Sequence, residues 1–187
     1  MLVTEINPND ELWLSKVEAP QIITDANLFA WDDEADLVVA GLGGAGIAAA
    51  NEALDQSLTV IGIDKTSGGG GATAKSGGVY YAGGGTPIQI AAGVEDSPEN
   101  MFNYLIQETG SIVKESTLKN FCDTSAENTQ WLMDNGVQFD PSYYKIKTSY
   151  PGAGFFLYHS DNSLVPSYME KSIPAPRGHR GFEEGPF

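Results

Sequence analysis

The tightest constraint on this chain lies at residues 36–46. There a short apolar run, Asp36-Leu37-Val38-Val39-Ala40, passes without a break into Gly41-Leu42-Gly43-Gly44-Ala45-Gly46. Apolar, β-branched runs of this length make strands buried on both faces of a parallel sheet. The alanine-rich stretch Ile47 to Leu54 then reads as a helix, and Leu58-Thr59-Val60-Ile61-Gly62-Ile63 reads as a second strand closed by Asp64. Strand, glycine turn, helix, strand and acid, in that order, form a βαβ unit with its two strands parallel.

Each part of the turn has a separate task. Gly41 permits the sharp exit from the strand. Gly43 carries no side chain, so a pyrophosphate can approach its backbone. Gly46 lets the helix pack close on the strand. The free N–H groups at the helix start, across Gly44 and Ala45, then face the anion together with the positive end of the helix dipole. Asp64 stands where a carboxylate accepts hydrogen bonds from the adenosine ribose hydroxyls, and its charge disfavours a 2′-phosphate. A bare glycine turn with a solvated aspartate would explain any one of these features, but not all of them in sequence. A dinucleotide site is therefore expected.

The segment beyond Asp64 and Lys65 decides which dinucleotide is expected. Residues 66–86 hold nine glycines, arranged around Gly70-Gly71-Ala72-Thr73 and Ser76-Gly77-Gly78. An NAD domain would place a short crossover here. Backbone without side chains can instead lie against a flat ring and a pyrophosphate, with Thr73 and Ser76 as hydroxyl donors. Composition alone would also suit a flexible linker. The embedded Val79-Tyr80-Tyr81-Ala82 has the look of a buried piece and counts against one. FAD is the expected cofactor.

Two helices come next. One starts at Ser97-Pro98-Glu99, with a capping serine, a proline at the first helical position and an acid in the first turn. Its apolar face is Met101, Phe102, Leu105 and Ile106. The second starts near Ser116, carries Leu118, Phe121, Cys122, Ser125, Leu132 and Met133 on one face, and stops at Asn135-Gly136. Cys122 is the single cysteine, which rules out an internal disulfide framework, and it is expected as a small core residue. Two histidines without convergent carboxylates are not expected to hold a metal.

From Val137 onward aromatics, prolines and glycines succeed one another with little periodicity. They read as core rather than as a substrate wall, although such a wall would suit a flat apolar molecule. Trp13, Phe29 and Trp31 are expected as apolar anchors of an N-terminal arm, and only two sheet strands are clearly visible. A formal charge of −15, from 25 acidic and 10 basic residues, argues against nucleic acid and anionic membranes as partners. The opening residues lack the basic start and apolar run of a leader. No stretch approaches the ~20 apolar residues of a membrane span. A cytoplasmic location is expected.

The run from Trp31 through Gly46, together with Gly70-Gly71-Ala72-Thr73-Ala74-Lys75-Ser76-Gly77-Gly78-Val79-Tyr80-Tyr81-Ala82-Gly83-Gly84-Gly85, resembles the fumarate reductase/3-ketosteroid dehydrogenase family of flavoproteins. Ala175-Pro176-Arg177-Gly178-His179-Arg180 is similar to a later motif of the 3-ketosteroid Δ4-dehydrogenase branch. The resemblance implies an α/β fold: a Rossmann-like FAD-binding βαβ domain, incomplete here, followed by the start of a second, substrate domain. The boundaries expected are an arm at 1–34, the FAD-binding part at 35–136 and the beginning of the substrate domain at 137–187. It implies that Gly41, Gly43, Gly44, Ala45, Gly46, Asp64 and Lys65 lie at the ADP moiety. Gly70, Gly71, Ala72, Thr73, Ser76, Gly77 and Gly78 would line the pyrophosphate and isoalloxazine. The implied reaction is dehydrogenation of a 3-ketosteroid, by removal of a proton α to the ketone and hydride transfer to the flavin. Fumarate-type relatives reduce an α,β-unsaturated acid instead. Members of the family are longer than this chain, so the catalytic residues are expected beyond residue 187, on further polypeptide or a partner chain. Without that remainder, a non-catalytic FAD-binding module that associates through an exposed sheet face is the expected behaviour.

Overall fold

The computed structural model describes residues 21–181 and shows a mixed α/β chain with two sheets. Strand β1 (Leu37–Ala40) runs into helix α1 (Gly44–Asp55) and returns as strand β2 (Val60–Ile63). β1 and β2 are parallel, with Leu37 opposite Val60 and Ala40 opposite Ile63. The Asp36 carboxylate fixes this register by accepting from the Thr59 amide at 2.9 Å and the Thr59 hydroxyl at 2.7 Å. These bonds, the Thr59 amide first, hold the Asp36 carboxyl below the usual carboxylate range.

The second sheet was not visible in the sequence. It orders β3 (Val79–Tyr81), β6 (Gly178–Arg180), β5 (Leu157–Tyr158) and β4 (Tyr143–Tyr144) side by side. β6 is antiparallel to both β3 and β5, while β4 and β5 are parallel. Among the described residues the expectation of two strands is corrected to six, and part of the aromatic tail joins the tyrosine pair at residues 80–81 in one sheet. Its strands are only two or three residues long, too short for an alternating pattern to register.

Helices α2 (Pro87–Ala91), α3 (Pro98–Thr109) and α4 (Glu115–Asp134) follow β3, with α4 packed on both α3 and α2, and the short α5 (Pro166–Met169) lies between β5 and β6 in the chain. Thr86 caps α2 in a reciprocal box with Gln89, and Ser97 caps α3 as its sequence requires. Met101, Tyr104, Leu118, Cys122, Leu157 and Tyr158 are buried together as the core. Burial pushes the Cys122 thiol up to about 11, which leaves it an inert core group. Phe121, on the same helix, is 36% exposed and lies at the edge of that face.

Two other expectations change. The β1–β2 pair is not buried on both faces: Val39 packs under α1, whereas Val38 and Ile63 are 57% and 53% exposed. One helix can cover only one face of a two-stranded sheet. Trp31 is no anchor, being 59% exposed, with its ring on Phe29 and its indole N–H donated to the Ala26 carbonyl. Trp13 lies outside the described residues. Among the described residues no helix is long and apolar enough to cross a membrane.

Candidate functional site

The glycine turn after β1 takes its shape from two constraints. Gly41 adopts φ +95°, a conformation that costs a side-chain-bearing residue, and its N–H donates to the Ile63 carbonyl at 2.7 Å. A Cβ on Gly46 would collide with the Gly41 carbonyl oxygen, so only glycine allows α1 to start this close to the strand. Gly43 is the N-cap of α1 and offers no side chain to its N–H groups, and the first turn contains no acidic residue. A Cβ at Gly43 would meet nothing within 4 Å. The exposed helix start therefore presents backbone N–H groups at the positive end of the dipole, which fits a pyrophosphate.

The second glycine segment folds back onto this turn. Gly43 and Gly70 form a parallel bridge, and the Gly70 N–H donates to the Leu42 carbonyl at 2.6 Å. A Cβ on Gly71 would stand 3.4 Å from Gly43 Cα, and the Thr73 hydroxyl accepts from the Gly44 N–H at 3.2 Å. Two regions of glycine, some thirty positions apart, thus share one surface. Tight turns continue through Ala72 and Ser76: the Ala74 N–H donates to the Gly70 carbonyl and the Ser76 N–H to the Thr73 carbonyl, each at 3.1 Å. The Ser76 hydroxyl accepts from the Gly78 N–H. Gly77 comes close to the Tyr150 ring, and the Gly78 carbonyl accepts from the Gly181 N–H at 3.1 Å.

Asp64 lies beside the same turn. One carboxylate oxygen accepts from the Leu42 N–H at 2.7 Å; the other accepts from the Thr66 N–H at 2.9 Å and its hydroxyl at 2.7 Å. Led by the Thr66 hydroxyl, these bonds hold the carboxyl down at about 2, with the charge of neighbouring Lys65 adding to them. Asp64 is an anion at neutral pH, and the second lone pair of Oδ2 is left to accept from a ribose hydroxyl. Thr66 was missed in the sequence; its signal is the Asp-x-Thr spacing of an Asx turn. The structure thus gathers Gly41 to Gly46, Asp64, Gly70, Gly71 and Thr73 in one place, while Ala72, Ser76, Gly77 and Gly78 lead away toward β3 and β6.

The Arg177-Gly178-His179-Arg180 string also has a place. Arg177 is fully buried, bonding Asp96 through Nε and Nη2 at 2.9 Å each, with Asp161 at 3.7 Å from Nη1. Arg177 holds the Asp96 carboxyl below its usual range despite burial. His179 Nδ1–H donates to the Arg177 carbonyl at 3.1 Å, and Nε2 accepts from the Thr86 hydroxyl at 2.8 Å. These groups pin β6 to the start of α2, so Arg177 and His179 are structural. Tyr81 donates to Asp161 and Tyr104 to Glu108, and burial pushes both phenols well above their ordinary range. Neither is poised as a base.

Residues 36–170 match the family described as FAD binding domain. The chain is 40% identical over 166 residues to a 3-oxo-5-alpha-steroid 4-dehydrogenase of Comamonas testosteroni, an alignment covering 87% of this chain and 31% of that protein. It is 33% identical over 117 residues to an acrylate reductase flavoprotein subunit of Shewanella woodyi, covering 63% of this chain and 23% of that protein. Among solved structures, 3-ketosteroid-delta4-(5alpha)-dehydrogenase of Rhodococcus jostii RHA1, in complex with 4-androstene-3,17-dione, superposes with a TM-score of 0.78 at 41% identity. That match covers 85% of this chain and 33% of the other. The chain therefore spans about a third of the length of the steroid dehydrogenases it matches. With the glycine cradle and the anchored aspartate in place, it belongs to the FAD binding domain family, and the cofactor of that family is FAD.

Proposed function

We propose that this chain is the FAD-binding part of a flavin-dependent oxidoreductase of the CH–CH type that dehydrogenates a 3-ketosteroid. In this reading residues 35–136 form a Rossmann-like unit, 1–34 an arm, and 137–187 the opening of a substrate domain. Turn residues 41–46 hold the pyrophosphate on the α1 N-terminus. Asp64 accepts from the adenosine ribose, with Lys65 beside it, and residues 70–78 lie along the pyrophosphate and the isoalloxazine. The observation that carries the cofactor assignment is the union of the two glycine segments, Gly43 bridged to Gly70 and Gly44 to Thr73. The steroid class is supported by the identity of about 40% to two steroid dehydrogenases.

FAD, when bound, supplies the two-electron acceptor for hydrogen leaving the substrate carbon adjacent to the one that loses a proton. The residues of this chain bind and orient the cofactor, and the base is assigned to none of them. Reduction of an α,β-unsaturated acid is the second reading, favoured by the 33% identity to an acrylate reductase subunit. In either case a small substrate and further polypeptide are the proposed partners.

The test is to add FAD to the purified chain and measure the retained flavin absorbance after desalting. The retained complex is then combined with the remaining two-thirds of the polypeptide and offered a saturated 3-ketosteroid, with a dye as electron acceptor, or acrylate with a reduced donor. Retained flavin and steroid-dependent dye reduction are expected. Turnover of acrylate alone would transfer the assignment to the second reading, and failure to retain FAD with or without the remainder would overturn both.

A further inference from the structure

The Leu42 peptide is shared between the two ends of the cradle. Its N–H donates to Asp64 Oδ2 at 2.7 Å, and its carbonyl accepts from the Gly70 N–H at 2.6 Å. Gly69 lies against the same residue, since a Cβ there would stand 3.3 Å from Leu42 Cβ. The loop at 65–69 joins Asp64 to Gly70 along the chain, and Thr66 bonds back across it. The Thr66 hydroxyl stands 2.7 Å from Asp64 Oδ1 and 2.7 Å from the Gly68 carbonyl oxygen, while its N–H donates to Asp64 Oδ1 at 2.9 Å. A hydroxyl has one proton to give, so it donates to one of these acceptors at a time and is held between both. A β-branched side chain has few χ1 positions, and the two neighbours select one. Asp64, Leu42, Gly70 and Thr66 thus close a circuit that runs from the carboxylate through the glycine turn and the loop back to the carboxylate. The Thr66 hydroxyl also heads the influences that hold the Asp64 carboxyl at about 2.

We propose that Thr66 is a positioning residue for the cofactor: through its hydroxyl it sets the Asp64 carboxylate for the adenosine ribose and ties that setting to the loop leading into the second glycine segment. This rests on the reading that Asp64 accepts from the ribose. An aspartate side chain near the surface has two torsions to order, and a ligand that must order them loses affinity. Thr66 does the ordering before the ligand arrives, which is preorganisation of an acceptor. With both Oδ1 bonds made by Thr66 and one Oδ2 bond made by Leu42, the remaining Oδ2 lone pair faces a fixed direction. Thr66 acts through Asp64 and has no contact of its own to make with the ribose.

The experiment measures the dissociation constants of FAD and ADP for the unaltered chain, Thr66→Val, Thr66→Ser, Asp64→Ala and the Thr66→Val/Asp64→Ala pair. Flavin fluorescence reports FAD, competition against it reports ADP, and circular dichroism reports folding. Thr66→Val removes the hydroxyl and keeps the branched shape and the backbone N–H. It is expected to weaken both ligands about fivefold, the scale of one net hydrogen bond, and Thr66→Ser to stay within about twofold of the unaltered protein. In the Asp64→Ala chain, Thr66→Val should cost less than about twofold, because a residue that acts through the carboxylate then has nothing to set. A fivefold cost that persists without the carboxylate would show Thr66 acting on the loop alone and overturn the inference. Unweakened binding in a folded Thr66→Val chain, with Asp64→Ala weakened, would remove the inference and leave the ribose reading standing. Should Thr66→Val not fold, Thr66→Ala takes its place under the same criteria. An Asp64→Ala chain that binds both ligands as tightly as the unaltered protein removes the ribose reading and the inference together.

Discussion

Asp64 shows how a single exposed carboxylate is made reliable. Three donors from two directions keep it deprotonated and aimed, and one of them is the backbone of the glycine turn itself. A group whose folded pKa is depressed contributes above its ordinary value and loses that contribution only as pH falls through the depressed one, here about 2. Asp64→Asn should therefore weaken FAD binding about 10- to 100-fold, the range for losing a charge-assisted hydrogen bond to the ribose. The ratio of the two dissociation constants should be the same at pH 7.5 and pH 5, because Asp64 does not titrate between them. Fluorescence titration at both values checks this. A ratio that collapses toward one at pH 5 would mean that the carboxyl is not held as the geometry requires. The charge of Asp64 was legible in the sequence from its position after β2; the Thr66 bonds carried only the weak signal of the Asp-x-Thr spacing, and the Leu42 bond carried none, because its two ends lie 22 residues apart.

At the scale of elements, β6 is the piece on which the second sheet depends, since it pairs with both β3 and β5. His179 sits in its middle, fully buried, edge-on to the Phe139 ring and bonded to Thr86 and the Arg177 carbonyl. Burial holds its pKa down at about 4, against 6.5 for a free imidazole. The unfolded chain therefore binds a proton that the folded chain refuses. Stability from this group is complete above pH 6.5 and declines as pH falls toward 4, by up to about 3 kcal/mol at 1.36 kcal/mol per pKa unit. His159, also lowered by burial, acts in the same direction. Urea unfolding at pH 7.5, 6 and 5 should show His179→Gln losing much of this slope, and an identical slope in both proteins would refute the role. The elements β1, α1 and β2 could be read because glycine spacing, helix composition and apolar runs all agree locally. Helices α3 and α4 could be read from Ser97-Pro98 and from Asn135-Gly136. Strands β4, β5 and β6 could not, for each has two or three residues and depends on partners distant in sequence, as Tyr80 does on His179. Nothing local distinguishes Gly178-His179-Arg180 from a loop.

Across the whole molecule, two bodies of unequal security meet at the cradle. β1, α1 and β2 make their extensive contacts with one another, while the core of Met101, Tyr104, Leu118, Cys122, Leu157 and Tyr158 lies on the side of the four-stranded sheet. The bonds of residues 70–73 to the glycine turn, Gly70 to Leu42 and Gly44 to Thr73, tie the segment leading into β3 to the βαβ unit. Val38, Ile63, Ile47 and Leu54 are exposed on the βαβ unit, so its apolar burial is thin for the backbone it orders. Local opening should track that imbalance. In hydrogen exchange without cofactor, the amides of β1 and β2 should exchange well before those of β3, β6 and the buried turns of α3 and α4. FAD contacts both bodies in the proposed site and binds only when they are assembled, so at 100 times its dissociation constant it should protect β1 and β2 by up to about 2.7 kcal/mol. The protection should extend to residues 70–78 and be smaller in α4. Uniform exchange across both bodies before FAD, or equal protection everywhere after it, would show a single cooperative unit. The glycine cradle would then be a consequence of that unit's folding rather than the joint that the cofactor closes.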